Sequence, residues 1–489
     1  MTAERVAIIG GGIAGLAVAL ALKKSDREIV IIERDPEPPA IAPESAFDDW
    51  SRPGVPQFRH AHIVLARAQT LMRDHHPELL AELREAGIEF SALEEVLPPI
   101  HVEGLKKMPG DDDLLHLWGR RATLEYVIRQ HVGRLPHVRF VHSARVEGLV
   151  TETLEGAVRV RGVEFVRDGT REVVEADFVV DASGKRTKSP RWLEALGVRV
   201  TIDSKPSGFV YACRHYRLKH PEAAPPRRSG GGNFDYLGYA TFYAEHGNYA
   251  LTFGCPVEDA ELAGVIHRIE GFEALCDRLP VLKKWASESD VRTKVLGAGL
   301  FENRWTRFGA KGGKRLLGFF AVGDSHMETN PMYGRGCASA FWQAHVLAEV
   351  LEAQANPEER ALDYERRTWT MLKPHFDISV ATDRMYHLRA RLSRGLPVPL
   401  GARLLNYAYE EGWVPALHSS VLVAREMVGA MQMRDVSSVG VRLAVALQIL
   451  KAIVVGWFRR GKSPFLVTGP PRTEFLHGLL PHEDGPASR

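Results

Sequence analysis

The chain opens with a short apolar run, Val6-Ala7-Ile8-Ile9, that leads directly into Gly10-Gly11-Gly12-Ile13-Ala14-Gly15. An alanine- and leucine-rich stretch over 16–22 follows, and a second apolar run, Ile29-Val30-Ile31-Ile32, stops at Glu33. Strand, glycine turn, helix and strand in this order make a β-α-β unit of about thirty residues. The three spaced glycines act as one device. Gly10 permits the tight turn, Gly12 lets a pyrophosphate approach the backbone, and Gly15 allows close packing of helix on strand. The helix start, at Ile13 and Ala14, then offers unpaired N–H groups and a partial positive charge to phosphate. Glu33, placed 18 residues after Gly15 at the end of the second strand, can accept hydrogen bonds from ribose hydroxyls and would repel a 2′-phosphate. Arg34 shares that strand end. The unit predicts a bound dinucleotide.

The 489 residues suit about three structural units, and 45% hydrophobic with 25% charged residues is a globular composition. Lys and Arg number 63 against 61 Asp and Glu, so no general basic field exists for nucleic acid. The four cysteines form no CxxC pair and no zinc spacing, which points to a reducing compartment and no metal. His60 and His62 lack a third ligand at useful spacing. The first residues carry no basic segment followed by an apolar one, so a cytoplasmic protein is expected.

Further along, 35–56 reads as loop. Helices are expected over 61–73, 78–85 and 121–132, with strands over 138–142, on either side of Asp168-Gly169, and over 177–181. Residues 201–300 alternate aromatic and polar positions and predict a separate antiparallel sheet, with Ser229-Gly230-Gly231-Gly232 as a mobile turn. A buried strand over 316–322 follows. From Ala338 the chain reads as helical, broken at Pro374, Pro397, Pro399 and Pro415. The most apolar stretch, 443–458, falls below spanning length and contains Gln448 and Lys451. A buried or interfacial helix is expected there, with membrane contact the less favoured outcome.

FAD and NAD share the N-terminal fingerprint, so a second feature must separate them. The strand over 316–322 ends in Gly323-Asp324, and the chain continues through Pro331, Gly334, Arg335, Gly336 and Cys337 into another helix. A second helix N-terminus aimed at the same crevice suits an enzyme that must hold ribityl and pyrophosphate oxygens and stabilise a reduced isoalloxazine. The GGGIAG turn with Glu33, GVPQFRHAHIVL at 54–65, RRATLEYVI at 120–128, VVDASGKRTKSPRWL at 179–193 and GDSHMETNPMYGRG at 323–336 occur in family order. Together they resemble the FAD-dependent monooxygenases of the para-hydroxybenzoate hydroxylase fold, nearest in look to bacterial polyether-type epoxidases.

That resemblance implies a Rossmann-like, doubly wound α/β sheet for FAD, built from 1–200 and 301–360. It also implies an inserted β-sheet substrate domain over 201–300 and a helical C-terminal region over 361–489. It puts Gly10, Gly12, Ile13, Ala14, Gly15, Glu33 and Arg34 on the adenosine half of FAD, with Val146 beside them. It puts Arg121 against the cofactor, Asp181 and Gly184 near flavin and passing nicotinamide, and Gly323 and Asp324 on the ribityl-pyrophosphate. Pro331, Gly334, Arg335, Gly336 and Cys337 line the isoalloxazine, and Arg59 and His60 cover its other face. Arg335 and Pro331 are the catalytic candidates; Tyr211, Tyr239 and Phe253 are candidates for the substrate pocket. Two departures stand out: Asp-Ala-Ser-Gly replaces the simpler Asp-Gly of aromatic hydroxylases, and Arg335 replaces a glutamine common in epoxidase-like relatives.

The implied activity is NADH- or NADPH- and O₂-dependent hydroxylation or epoxidation of a sizeable apolar molecule through a flavin hydroperoxide, of the kind found in secondary metabolism. The alternatives are a flavin-dependent reductase or desaturase of an isoprenoid-like substrate, a flavin-dependent halogenase, and a non-catalytic flavin-binding protein. The absence of a second GxGxxG speaks against two-dinucleotide-domain enzymes, and the halogenase Trp-x-Trp-x-Ile-Pro pattern is not present.

Overall fold

A computed structural model describes residues 3–23, 27–224, 227, 231–299, 301–309, 312–459 and 469–479. The chain divides into two compact units, one made of 1–89, 119–205 and 302–379, the other of 90–118, 206–301 and 380–489. The division departs from the four-segment expectation. Residues 90–118 group with the second unit, and the C-terminal region is shared between the two instead of standing apart.

In the first unit, strand β1 (Arg5–Ile9) leads into helix α1 (Ile13–Ala21) and strand β2 (Glu28–Ile32). Helix α2 (Arg121–Gly133) precedes β3 (Val138–Val141), and β4 (Phe178–Asp181) and β5 (Phe319–Ala321) complete a five-stranded sheet. The order is β5-β4-β1-β2-β3, every pairing parallel. The register aligns Ile9 with Ile32 and Asp181, Asp181 with Ala321, and Ile32 with Val141. All five strands therefore end in line, and Gly10, Glu33, Ala182 and Val322 leave from one edge. That edge, outside the carboxyl ends of parallel strands, is where such sheets bind ligands.

The strands are buried on both faces, which is why they read as continuous apolar runs. On one face Ala7, Ile9, Val30, Ile32 and Val179 pack with Val158, Val160, Val163 and Phe165. These belong to an antiparallel meander, Ala144–Leu154, Ala157–Arg167 and Thr170–Glu175. Its second turn is the expected Asp168-Gly169, both at positive φ, the geometry that Asp-Gly supplies in tight hairpins. On the other face Ile8 meets α1 at Gly15.

Several expected elements shift. The helix expected over 61–73 starts at Ala66 and runs to His75, because Ile63 and Val64 form a short strand. The loop over 35–56 contains one turn of helix, Ala46–Asp49, whose Phe47 packs with Trp50 and Phe58. The single strand over 316–322 is two. Gly318 stands at φ +68 and turns the chain from the meander, paired at Arg315–Leu317, to the parallel sheet at β5. Helix α3 (Arg335–Ala353) follows the second glycine turn. Helix α4 (Pro357–Ser393) continues through Pro374.

The second unit contains the expected antiparallel sheet. Strands Gly231–Asn233, Gly238–Tyr243, Asn248–Pro256 and Phe209–Leu218 run in that spatial order. Gly231 and Gly232 are thus strand, and Ser229 and Gly230 lie outside the described residues. Three helices that the sequence reading did not anticipate, Ala260–His267, Ile269–Arg278 and Pro280–Ser287, cover one face. Two further helices matter below, α5 (Leu400–Ala408) and α6 (Val439–Trp457). Of the buried or interfacial helix expected over 443–458, the buried alternative fails: none of the α6 residues is buried.

Candidate FAD-binding site

The glycine turn has three different environments. A Cβ at Gly15 would lie 2.0 Å from the Gly10 carbonyl oxygen, and one at Gly10, which stands at φ +97, would lie 2.8 Å from the Ala182 oxygen. Both positions are closed to any side chain. A Cβ at Gly12 would meet nothing within 4 Å. The turn is thus tight where it packs and open where a pyrophosphate approaches the α1 N-terminus, whose first turn carries no acidic residue.

Glu33 is 3% exposed at the end of β2. Its Oε2 accepts from the Gly11 N–H at 2.8 Å and from Arg52 at 2.9 Å, and its Oε1 accepts from the Asp35 N–H at 2.9 Å. With two sites per carboxylate oxygen, Oε1 keeps one lone pair for a ribose hydroxyl. Burial would push this carboxyl up, but Arg52, the two N–H groups and Arg129 outweigh it and hold it below its usual value. Beside it, Arg34 donates to the Gly54 oxygen at 2.5 Å. Arg34, Asp35, Pro53, Gly54, Arg145 and Val166 surround a depression of about 440 Å³ beyond the end of β2. Val146, one residue beyond Arg145, packs on the apolar core.

The sequence reading missed the residue that organises this end. The Arg52 side chain is 1% exposed and ties Glu33 at 2.9 Å, Asp35 at 2.8 Å and Glu125 at 2.8 Å. Burial disfavours its charge, yet Glu125, Glu33 and Asp35 hold its pKa above the ordinary value. Glu125 also holds Arg121 at 2.9 Å, four residues earlier on α2. Arg121 in turn approaches the Cys337 sulfur at 4.0 Å. An unbroken chain of buried charges therefore runs from Glu33 to Arg121, beside the start of α3. Arg129, also missed, donates to the Gly11 oxygen at 2.7 Å and lies 4.7 Å from the Phe140 ring centre. Burial and then Arg52 lower its pKa to about 10. No motif marks these arginines; only their distant partners do.

The second turn meets the first directly. Gly323 stands at φ +74, and a Cβ there would lie 2.8 Å from the Ala14 Cβ on α1. Asp324 is thereby set beside the N-termini of α1 and α3, and a Cβ at Gly336 would sit 3.7 Å from its Oδ1. Burial raises the Asp324 carboxyl against the pull of Arg121, Arg304 and Lys185. Two more residues were missed here. Glu328, 8% exposed, lies 3.2 Å from Arg304 and 3.8 Å from Lys185. Burial, and then the charge of Asp324, push it up to about 7. Arg304 also donates to the Lys185 and Asp324 carbonyls at 2.8 and 3.3 Å.

Other expected residues occupy different roles. The Asp181 carboxylate is wholly buried and spent on its own loop, accepting from the Ser183 N–H at 2.9 Å, the Ser183 hydroxyl at 2.6 Å and the Thr187 hydroxyl. These bonds shape the loop. Gly184, at φ +80, leaves open space beside that loop. Arg335 starts α3 but is 3% exposed; it donates to the Ser379 hydroxyl on α4 and lies 5.0 Å from the Tyr333 ring centre. Its guanidinium anchors the helix start, while Pro331 and Gly336 are the exposed residues of this turn. Gly334 fits only as glycine, since a Cβ would lie 2.7 Å from Ile63. Arg59 donates to the Phe47 and Asp48 carbonyls at 2.8 and 3.2 Å, and burial lowers the pKa of His60. Cys337 is buried, and that burial raises its thiol pKa despite Arg121 nearby. No metal-ligand cluster occurs among the described residues.

The substrate-pocket candidates divide by the pleat of the second unit's sheet. Phe253 is fully buried with its ring centre 4.8 Å from that of Phe272, and Tyr239, its cross-strand partner, shares that helix-covered face. Phe253 is core, and Tyr239 is partly buried against it. Tyr211 lies on the opposite face, stacked on Phe301 at 5.2 Å. By alternation Cys213, Ala240, Phe242, Thr252, Gly254 and Ala298 share the Tyr211 face.

The family described as FAD dependent oxidoreductase matches residues 5–117. Protein Rv3254 of Mycobacterium tuberculosis is 28% identical over 406 residues, covering 78% of this chain and 81% of that protein. Kynurenine 3-monooxygenase of Salinispora tropica is 25% identical over 490 residues, covering 94% and 98%. Among solved structures, the flavin-dependent brominase Bmp2 superposes with a TM-score of 0.61 at 15% identity, covering 94% of this chain and all of that one (100%). The p-nitrophenol 4-monooxygenase PnpA of Pseudomonas putida gives 0.58 at 15% identity, covering 89% and 99%. At these identities the structural likeness is one of fold.

Proposed function

We propose that this chain, whose residues 5–117 match the family described as FAD dependent oxidoreductase and which resembles a kynurenine 3-monooxygenase over most of its length, is an NAD(P)H- and O₂-dependent monooxygenase that hydroxylates or epoxidises a sizeable apolar molecule. The observation that carries the reading is the meeting of two glycine turns more than 300 residues apart, at Ala14 and Gly323. One turn serves a dinucleotide; two, with a buried acid at each, suit the length of FAD. The open space at Gly12 and the spare lone pair on Glu33 fit its pyrophosphate and ribose.

In this reading Gly12, Ile13 and Ala14 hold the pyrophosphate by backbone N–H groups, and Glu33 orients the adenosine ribose. Asp324 receives ribityl hydroxyls, and the N-terminus of α3 at Gly336 and Cys337 offers partial positive charge to the flavin ring. FAD held by these residues would supply the redox chemistry, hydride acceptance from nicotinamide and oxygen activation. Arg335 acts by fixing the start of α3, with Pro331 exposed at the same turn. The chain supplies orientation, electrostatics and exclusion of water, and no general base is assigned. The Tyr211 face of the second unit's sheet, lined by small and aromatic residues, is the substrate-contacting surface, which favours an apolar compound.

The test is oxygen uptake and NADH or NADPH oxidation by purified protein, with and without a panel of apolar aromatic and isoprenoid compounds. Substrate-stimulated uptake with an oxygenated product supports a monooxygenase. Anaerobic turnover without uptake supports a reductase. Halide-dependent product, the chemistry named for Bmp2, supports a halogenase.

A further inference from the structure

Helix α6 (Val439–Trp457) is the most unusual surface of the molecule. The span from Val439 to Phe458 is, by length and composition, long and apolar enough to cross a membrane, yet none of it is buried. A core helix would pass the same composition test but would be covered. One side of α6 is seated on the wide helical turn Tyr409–Trp413: a Cβ at Gly412 would lie 2.8 Å from Ile453 and 3.0 Å from Ile449. Arg459 is paired with Glu411 on the same turn. The other side exposes Leu443, Leu447, Leu450 and Val454, spaced by three and four residues as one stripe, and ends in Trp457 and Phe458, the latter 85% exposed. Helix α5 (Leu400–Ala408) adds exposed Leu400, Leu404 and Leu405. Soluble surfaces rarely leave such a contiguous apolar stripe uncovered.

The charges identify the partner. Arg442 and Lys451 are both exposed and flank the apolar stripe of α6 on its two sides, Arg442 in the row of Ile449 and Ile453 and Lys451 on the far side; Arg403 is exposed on α5, and neither helix contains Asp or Glu. A second copy would bring like charges together, whereas anionic lipid headgroups would neutralise them. A spanning helix would need an apolar surface all round, but one side of α6 is occupied by the Tyr409–Trp413 turn and its open side carries Lys451. We propose that the second unit docks on an anionic lipid bilayer, with α6 lying in the interfacial plane. Leu443, Leu447, Leu450 and Val454 enter the acyl boundary, Arg442 and Lys451 reach the headgroups, and Trp457 and Phe458 sit at the interface.

The full-length, FAD-loaded protein is floated with vesicles of phosphatidylcholine alone or mixed with phosphatidylglycerol. Binding is expected to be about tenfold greater to the mixed vesicles. It should fall severalfold between about 0.1 M and 1 M salt, where the screening length drops from ~10 Å to ~3 Å, and bound protein should be released by alkaline carbonate. Leu447→Glu with Leu450→Glu should abolish flotation while leaving flavin absorbance and far-UV circular dichroism unchanged. Arg442→Gln with Lys451→Gln should remove the preference for phosphatidylglycerol. Wild-type protein that floats with neither vesicle overturns the proposal. So does carbonate-resistant binding, which would mean a spanning helix, or a light-scattering dimer mass that Leu447→Glu with Leu450→Glu halves without any flotation.

Discussion

Gly12 and Gly15 separate ligand binding from folding within one turn. A side chain at Gly12 enters open space, so Gly12→Val should leave the unfolding temperature of the FAD-free protein within about 2 °C while weakening FAD binding by at least about tenfold. A side chain at Gly15 would lie 2.0 Å from a backbone oxygen. Gly15→Ala should therefore yield little soluble protein, and thermal melts with flavin-fluorescence titrations distinguish the two. Glu328 offers a pH test. Its carboxyl is raised to about 7, so it is neutral below that value and gains a charge beside Asp324 above it. FAD affinity should fall about three- to tenfold from pH 6 to 8, the worth of ~1 kcal/mol between screened charges. Glu328→Gln should flatten that profile. The glycines and Glu33 were legible because their spacing is itself the signal. Arg52, Arg304 and Glu328 were not, because their meaning lies in partners tens to hundreds of residues away. Asp181 differs from these, since its partners, Ser183 and Thr187, lie within its own loop.

The parallel strands and their helices could be read from runs of apolar residues between glycines, since a strand buried on both faces has little alternation to blur. Legibility failed where one residue redirects the chain. Gly318 splits an apparently continuous strand between two sheets, and α4 absorbs Pro374 within a helix of 37 residues. In the second unit the alternation was visible but its sense was not. Nothing in the sequence told which face of the Phe209–Leu218 and Asn248–Pro256 strands the three helices cover, so Tyr239 and Phe253 were placed on the wrong side. The junction of the two glycine turns is an element-scale hinge of the account. Gly323→Ala adds a methyl group 2.8 Å from Ala14 at a positive φ, which should cost about 1–3 kcal/mol. Because it pushes the Asp324 turn from α1, it should also weaken FAD more than it weakens ADP, a comparison that titration calorimetry can make.

Across the whole molecule, buried histidines govern acid stability. Burial lowers His76 to about 2, His116 to about 3, and His326 and His345 to about 4. His76 and His345 also face each other, Nε2 to Nε2, at 3.1 Å. The unfolded chain takes up protons near pH 6.5 while these sites refuse them, so stability is complete above that value and is lost as pH falls toward 4. Each site costs about 1.4 kcal/mol per pH unit once engaged. The carboxyls of Glu328 and Glu365, both raised to about 7, and that of Asp324, also raised, work in the opposite direction and offset part of this loss, but they are fewer than the four histidines. Denaturant midpoints should therefore drop steeply between pH 6.5 and 5, and His345→Gln should lessen the slope.

That FAD spans the two glycine turns is tested most directly by titrating flavin-stripped protein with FAD, followed by flavin fluorescence and visible absorbance. One equivalent should bind and give a perturbed flavin spectrum, with Gly12→Val and Glu33→Ala each weakening the complex and ADP competing for the adenosine end. Protein that is folded by circular dichroism yet binds no FAD would contradict the account.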